Sequence, residues 1–360
     1  MICGHGGNIY ELAERLGCTP GDITDMSSNV NPMGPMPALI DHLHNQLASG
    51  ISALPEVDAR GAVDAFAANH GLKPEQIAAG NGTTQLIYSI PRALGSRKAL
   101  IMGPTYADYR DACTMNGIEP AFFLNGPDTN FDPDLDLLQA AIDGYDTAFI
   151  CNPNNPTGRL IPGEDLIRLC KNRPNTRFII DESYLPFVRE RETQSLLRAG
   201  LKNVIVLNSM SKIFRIPGLR IGFAVSEPET IERLNDLMLP WSLNSLAQAA
   251  VRFLMSQQDK VDAFVRESVD FLDTEKDIMM DTFQPASAIT LFPSRTSFIL
   301  ARLNGDKDAH MIWEQLARKR FLIRNCENFH GLSDRYVRVS LKTADANRQL
   351  ARDLKEIISM

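Results

Sequence analysis

The chain lacks an excess of positive charge: 37 Lys and Arg stand against 44 Asp and Glu, a net charge of −7 at pH 7. With no basic stripe and no nucleic-acid motif, a polyanionic partner is not expected. It lacks any stretch reaching the ~18 apolar residues of a membrane-spanning helix. Met1-Ile2-Cys3-Gly4-His5-Gly6-Gly7 has neither the basic start nor the apolar core of a secretory leader. A cytoplasmic protein is expected. The six cysteines, Cys3, Cys18, Cys113, Cys151, Cys170 and Cys326, form no C-x-x-C pair and no Cys/His spacing suited to zinc. They read as free thiols of a reducing compartment, so neither a disulfide scaffold nor a structural metal is expected. Internal repeats and low-complexity segments are also missing.

What is present is alternation. Helices are expected over 37–48, 61–70, 84–94, 106–116, 133–143, 163–171 and 229–238, and strands near 76–79, 98–102, 119–124, 147–151, 177–181, 203–207 and 220–225. Several helical stretches begin at Asp/Pro or Pro/Gly and stop at Gly, as from Asp132-Pro133 to Gly144. This pattern predicts an α/β fold whose large domain has a mainly parallel sheet covered by helices on both faces. Pro240-Trp241-Ser242 interrupts the alternation. Helical stretches follow over 243–257 and 260–283, then strands near 296–303, 320–324 and 335–341. An amphipathic helix from Ala344 to Ile358 closes the chain, with Leu350, Leu354 and Ile357 on one face. That tail predicts a smaller α+β domain. At 360 residues the chain exceeds the usual size of one core. The expected division is an N-terminal arm over 1–34 joining the small domain, a large domain over 35–257 and a small C-terminal domain over 258–360.

The chemistry-bearing residues stand where apolar runs end. Val204-Ile205-Val206-Leu207 leads into Ser209-Met210-Ser211-Lys212, with Arg220 in Gly218-Leu219-Arg220-Ile221-Gly222. Open α/β sheets bind ligands at the carboxyl ends of their strands. A lysine fixed there, flanked by hydroxyls and followed by an arginine, suits a Schiff base to an aldehyde cofactor whose phosphate is gripped beside it. The plainer reading is a surface lysine in a polar turn. Phe178-Ile179-Ile180 ends at Asp181, which can face the ring nitrogen of pyridoxal phosphate or simply cap a following helix. Thr147-Ala148-Phe149-Ile150-Cys151 ends in Asn152-Pro153-Asn154-Asn155-Pro156-Thr157-Gly158, a loop stiff enough to aim Asn155. Gly80-Asn81-Gly82-Thr83 precedes a helical pattern and forms an anion site if it caps that helix.

The set NPNNPTG, IDESY, SMSK and GLRIG resembles the fold-type I pyridoxal-phosphate enzymes, specifically the aminotransferase class I/II family. HGGNIYELAERLG, SSNVNPMG, PWSLNSLA, LIRNC and RYVRV further resemble its threonine-phosphate decarboxylase branch, of cobalamin synthesis, close to the histidinol-phosphate aminotransferases. The resemblance implies pyridoxal 5'-phosphate on Lys212, with Asp181 on the ring nitrogen, and Tyr184 and Asn155 at the ring hydroxyl. Tyr106 would lie on the ring face, and Gly82, Thr83, Ser209, Ser211 and Arg220 would hold the phosphate. Arg338 would clamp the carboxylate of a small phosphorylated amino acid, and Arg324 with His5, Gly6 and Asn29 would hold its other groups. Without the resemblance, both arginines read as salt-bridged or solvent-facing. A homodimer is implied as well. One departure stands out: relatives commonly carry Tyr-Pro where this chain reads Leu54-Pro55, and leucine cannot donate the tyrosine's hydrogen bond to the neighbouring subunit's cofactor.

Overall fold

The computed structural model describes residues 6–284 and 286–359. Seven strands build the central sheet, ordered Ile77–Asn81, Ile221–Val225, Val204–Ser209, Arg177–Asp181, Thr147–Cys151, Ala99–Gly103, Ala121–Leu124. All neighbours are parallel except around Ile221–Val225, which runs antiparallel to both strands beside it. The expected strands lie within two residues of the observed ones. Alternation decides which helices cover which face, because successive strand side chains point to opposite sides. Ile101, Phe149, Ile179 and Ile205 join the core that includes Leu86, Ile87 and Ile90 of the helix Gly82–Leu94. Met102, Ile150, Phe178 and Val206 pack instead on Leu138, Leu166 and Leu169 of the opposite layer. Phe178 is fully buried, and truncating such a residue to alanine costs about 3–5 kcal/mol.

The second layer system is a four-stranded antiparallel sheet ordered Arg324–Asn325, Tyr336–Ser340, Phe298–Leu303, Ile289–Leu291. The helix Gln258–Phe283 runs from beside the large sheet to contact Ile289–Leu291 and the closing helix Ala344–Ser359. Among the elements not foreseen are the strand Ile289–Leu291 and the helix Ala309–Arg318. The helix is capped by Asp308, whose side chain accepts from the Met311 amide at 2.8 Å. Its sequence AHMIWEQLAR does carry the i, i+3, i+4 apolar spacing of an amphipathic helix.

The expected strand over 320–324 is a correction: it divides. Phe321–Leu322 pairs in parallel with Thr24–Asp25, whereas Arg324–Asn325 pairs antiparallel with Tyr336–Ser340. Each half has found a different partner, so Ile323 is the corner between two sheets. The arm helix Ile9–Leu16 seals this region, Leu12 and Ala13 packing with Ile23, Ala317 and Leu322. Among the described residues no helix is long and apolar enough to cross a membrane.

Candidate active site

Four sequence-predicted residues mark the seam between two adjoining cavities. Tyr106, Asn155, Tyr184 and Lys212 line both. The first cavity, about 530 Å³ including its mouth open to solvent, adds Gly82, Thr83, Asp181, Ser209, Ser211 and Arg220. The second adds Gly6, Ser27, Ser28, Asn29, Arg324 and Arg338. Every described residue nominated from the sequence therefore borders one of the two, and only His5 lies outside the described residues.

Lys212 sits in the four-residue helix Met210–Ile213, directly after the strand Val204–Ser209, and its carbonyl accepts the Asn31 amide at 2.9 Å. Burial, reinforced by the guanidinium groups of Arg220 and Arg338, pushes the Lys212 ammonium down to about 8. A neutral amine is the nucleophile that attacks a carbonyl, so this shift serves covalent chemistry near neutral pH.

Asp181 is buried at its strand's end. Its Oδ1 accepts the Ser183 amide at 2.9 Å and its Oδ2 accepts the Tyr109 hydroxyl at 2.7 Å. Tyr109 was not among the nominated residues. Its signal is the spacing Tyr106-x-x-Tyr109, which brings two aromatics together across one turn; the rings meet edge to face at 5.8 Å. Burial first, and then the Asp181 charge, hold the Tyr109 phenol far above its ordinary range, so it remains a donor. Cys151 was also missed; it lines the first cavity and its thiol donates to the Pro153 carbonyl at 3.3 Å.

The asparagine loop shows why Asn155, of three candidates, faces the site. Asn152 exchanges side-chain bonds with Ile161, giving its amide to the carbonyl at 2.9 Å and accepting the backbone N–H at 2.8 Å. Asn154 donates to Pro104 O and Thr157 Oγ1, each at 2.9 Å. Asn155 contributes nothing of the kind, and its Oδ1 instead accepts from Arg338 Nη1. Tyr184 lies edge to face with Phe298, 5.1 Å between centroids, and its hydroxyl accepts the Asn29 amide at 3.2 Å.

At the phosphate end the backbone comes close to side chains. Gly82 has φ +75°, and a Cβ there would collide with the Arg220 guanidinium; a Cβ on Gly222 would stand 2.5 Å from the Thr83 amide nitrogen. Arg220 itself has φ 55°. The amides at the start of Gly82–Leu94 receive no bond from the Asn81 side chain. A helix N-terminus, the Ser209 and Ser211 hydroxyls and one arginine thus form a donor set suited to a phosphate dianion.

In the second cavity Arg338 is buried, and desolvation lowers its pKa from the ordinary arginine value. It donates to Asn155 Oδ1 and, at 2.6 Å, to Ser27 O, and lies 5.2 Å over the Phe298 ring. Its Nε is buried and has no hydrogen-bond partner among the described residues. Arg324 donates to Asn328 Oδ1 at 2.6 Å and lies over Phe329; burial pushes it down to about 10. Among the described residues neither arginine is paired with a carboxylate, contrary to the plainer sequence reading.

Residues 21–354 match the family model described as aminotransferase class I and II. The chain belongs to that family. It is 31% identical over 364 residues to the threonine-phosphate decarboxylase of Salmonella typhimurium, a match covering 99% of this chain and 96% of the relative. A histidinol-phosphate aminotransferase of Moorella thermoacetica is 30% identical, with 98% and 90% covered. A third relative, the adenosylcobalamin biosynthesis bifunctional protein CobDQ of Leptospira interrogans, is 30% identical over 96% of this chain, which spans only 40% of that longer protein. Among solved structures, the L-threonine-O-3-phosphate decarboxylase of Porphyromonas gingivalis superimposes with a TM-score of 0.84 at 28% identity, covering 93% of this chain and 99% of that one.

The protein is accordingly a pyridoxal 5'-phosphate enzyme of class I and II with the fold-type I architecture. The first cavity fits that cofactor at three points: an amine of lowered pKa, a buried carboxylate in the same cavity, and the donor set around Gly82.

Proposed function

We propose that the protein releases carbon dioxide from O-phospho-L-threonine, giving aminopropanol phosphate, as in cobalamin synthesis. The reading is supported chiefly by one observation: two desolvated arginines, Arg324 and Arg338, which have no carboxylate partner among the described residues, face a cavity that Lys212 also lines. Unpaired buried cations are costly. A substrate bearing a carboxylate and a phosphate would supply an anion to each.

Pyridoxal phosphate, when bound, contributes an aldehyde for amine exchange and a protonated ring that accepts electrons from a bond broken at the substrate's α-carbon. Lys212 would hold the cofactor and, freed as an amine, would move a proton at that carbon. Asp181 would keep the ring nitrogen protonated, with Tyr109 and Ser183 holding its oxygens. Tyr184 and Asn155 would face the ring hydroxyl, Tyr106 the ring face, and Gly82, Thr83, Ser209, Ser211 and Arg220 the phosphate. Arg338 would bind the substrate carboxylate through Nε, the guanidinium nitrogen left without a partner among the described residues. Arg324 and Gly6, with His5 and Asn29, would take the remaining groups. Loss of carbon dioxide requires the carboxylate, and not the α-hydrogen, to stand across the ring plane, so the two arginines would choose the bond by fixing both ends of the substrate.

Histidinol-phosphate aminotransferase is the second reading, since a relative of that name is nearly as similar. The deciding assay measures carbon dioxide from phosphothreonine beside 2-oxoglutarate-dependent consumption of histidinol phosphate. Release of carbon dioxide with little transamination is expected; turnover of histidinol phosphate alone would overturn the decarboxylase reading. A homodimer is part of the proposal. Leu47, Ile51, Leu54, Val57, Leu239 and Trp241 are exposed, and the Trp241 amide bonds the Val57 carbonyl, which joins the two groups into one apolar face. Sedimentation showing an active monomer would refute it.

A further inference from the structure

Arg338 has a companion beneath the second cavity. Lys342, two residues beyond the strand Tyr336–Ser340, is 8% exposed and donates through Nζ to Ser28 O at 3.0 Å. Arg338 holds the preceding carbonyl, that of Ser27. The same two residues are held at their donors by Asp25. Its Oδ1 accepts the Ser27 amide at 2.9 Å, the Ser27 hydroxyl at 2.7 Å and the Ser28 amide at 3.2 Å, while Oδ2 accepts the Ser28 hydroxyl. Two successive residues thus have their donors on one anion and their carbonyls on two cations. The arm rests on this strap. Gly7 N–H donates to Ser27 Oγ at 2.7 Å, and a Cβ on Gly6 would stand 2.7 Å from Ser27 O. Gly6, Ser27, Ser28 and Asn29 form one wall of the cavity, whereas Lys342 lines neither cavity.

We propose that Lys342 is a positioning residue for the substrate: by tying down Ser28 it holds the strap and the arm against the cavity, so that Gly6 and Asn29 meet the substrate's anionic head. The proposal rests on reading the second cavity as the substrate's. A methylene chain alone would not serve, because Ser28 O would lose its charged donor and keep only the Val30 amide at 3.0 Å. The charged groups around Lys342 are Asp25, Arg215 and Arg338. Burial is the main cause that pushes its ammonium down to about 8; Arg215 and Arg338 act in the same direction and Asp25 opposes them. Lys342 therefore carries its proton at pH 7 and loses it as pH rises past about 8.

Two variants and two readouts test this. Hydrogen exchange over residues 25–31, which needs no turnover, should speed up roughly tenfold or more in Lys342→Met, the scale of one charge-assisted hydrogen bond, and stay near wild type in Lys342→Arg. Kinetics use whichever substrate the assay above selects. KM should rise roughly tenfold in Lys342→Met with kcat changed much less. In the wild type KM should climb above pH 8, and this alkaline limb should vanish in Lys342→Arg, whose guanidinium keeps its proton. Wild-type exchange and KM in Lys342→Met, or the same alkaline limb in wild type and Lys342→Arg, would overturn the proposal. Should Lys342→Met not fold, the limb in Lys342→Arg decides alone. Failure of the phosphothreonine reading changes the substrate used and leaves the exchange result standing.

Discussion

The two cavities are built on opposite plans. The cofactor cavity is assembled from strand ends of a single sheet: Cys151, Asp181 and Ser209 close three strands that lie side by side. Asp181 is held by Ser183, two residues on, and by Tyr109 of the helix Asp108–Met115. The second cavity draws on segments more than 300 residues apart, since Arg338 and Ser27, and Asn29 and Ser340, are joined across 311 positions. A parallel sheet buried on both faces changes little when a ligand arrives. A wall held by a few side-chain bonds between distant segments can be retuned without disturbing the sheet.

Changes to the cofactor cavity should be the most damaging. Lys212→Ala should lose the borohydride-fixable cofactor link and lower turnover by roughly 10²–10⁴-fold, the range for losing a group that transfers protons at the reacting atom. A variant that still forms the link in equal yield would dissolve the contrast. Asp181→Asn should keep cofactor, because the phosphate grip is untouched, yet lower turnover by roughly 10²–10³-fold through the lost charge on the ring; unchanged turnover would remove Asp181 from its role.

A pH series sharpens the comparison at Lys212 itself. Its capture of cofactor by the apoenzyme, followed by absorbance, needs the neutral amine. With the ammonium lowered to about 8, the rate should rise about tenfold per pH unit below that value and level off above it. A rise continuing to pH 10 would mean an amine of ordinary basicity. Tyr109→Phe removes one donor from Asp181 and should weaken turnover by about tenfold, with the apolar packing against Phe149 kept. No change in rate or in the cofactor's absorbance would make Tyr109 core alone. The smallest effect is expected at the exposed Leu54. Leu54→Tyr should tighten cofactor binding by about 0.5–1.5 kcal/mol, the worth of one hydrogen bond, provided the dimer brings it to the partner's phosphate. Weaker binding would show that another residue already fills that position.

Much of this was legible beforehand for a physical reason. Short apolar runs rich in β-branched residues fix buried strands, and the residues flanking each run are placed at the strand ends whatever the remainder of the chain does. Asp181 closes one such run, Asn155 and Lys212 follow two others by a few residues, and Arg220 immediately precedes a fourth. Tyr106 illustrates the limit: the helix expected from 106 begins at Asp108, which leaves Tyr106 in the connecting loop bordering both cavities. The expected strand over 320–324 failed because its pattern fits either of two partners, and only the position of Thr24–Asp25 selects between them.

By itself, then, the sequence determined the central sheet, its two covered faces and the residues that end its strands, because those follow from local periodicity. It also carried the family. Tertiary structure decided the pairing of Tyr109 with Asp181, of Arg338 with Asn155 and of Lys342 with Ser28. Those contacts depend on how one sheet sits beside the other. A hydrogen bond between residues hundreds of positions apart leaves no period in either stretch, and a buried cation looks like a surface one until its neighbours are in place.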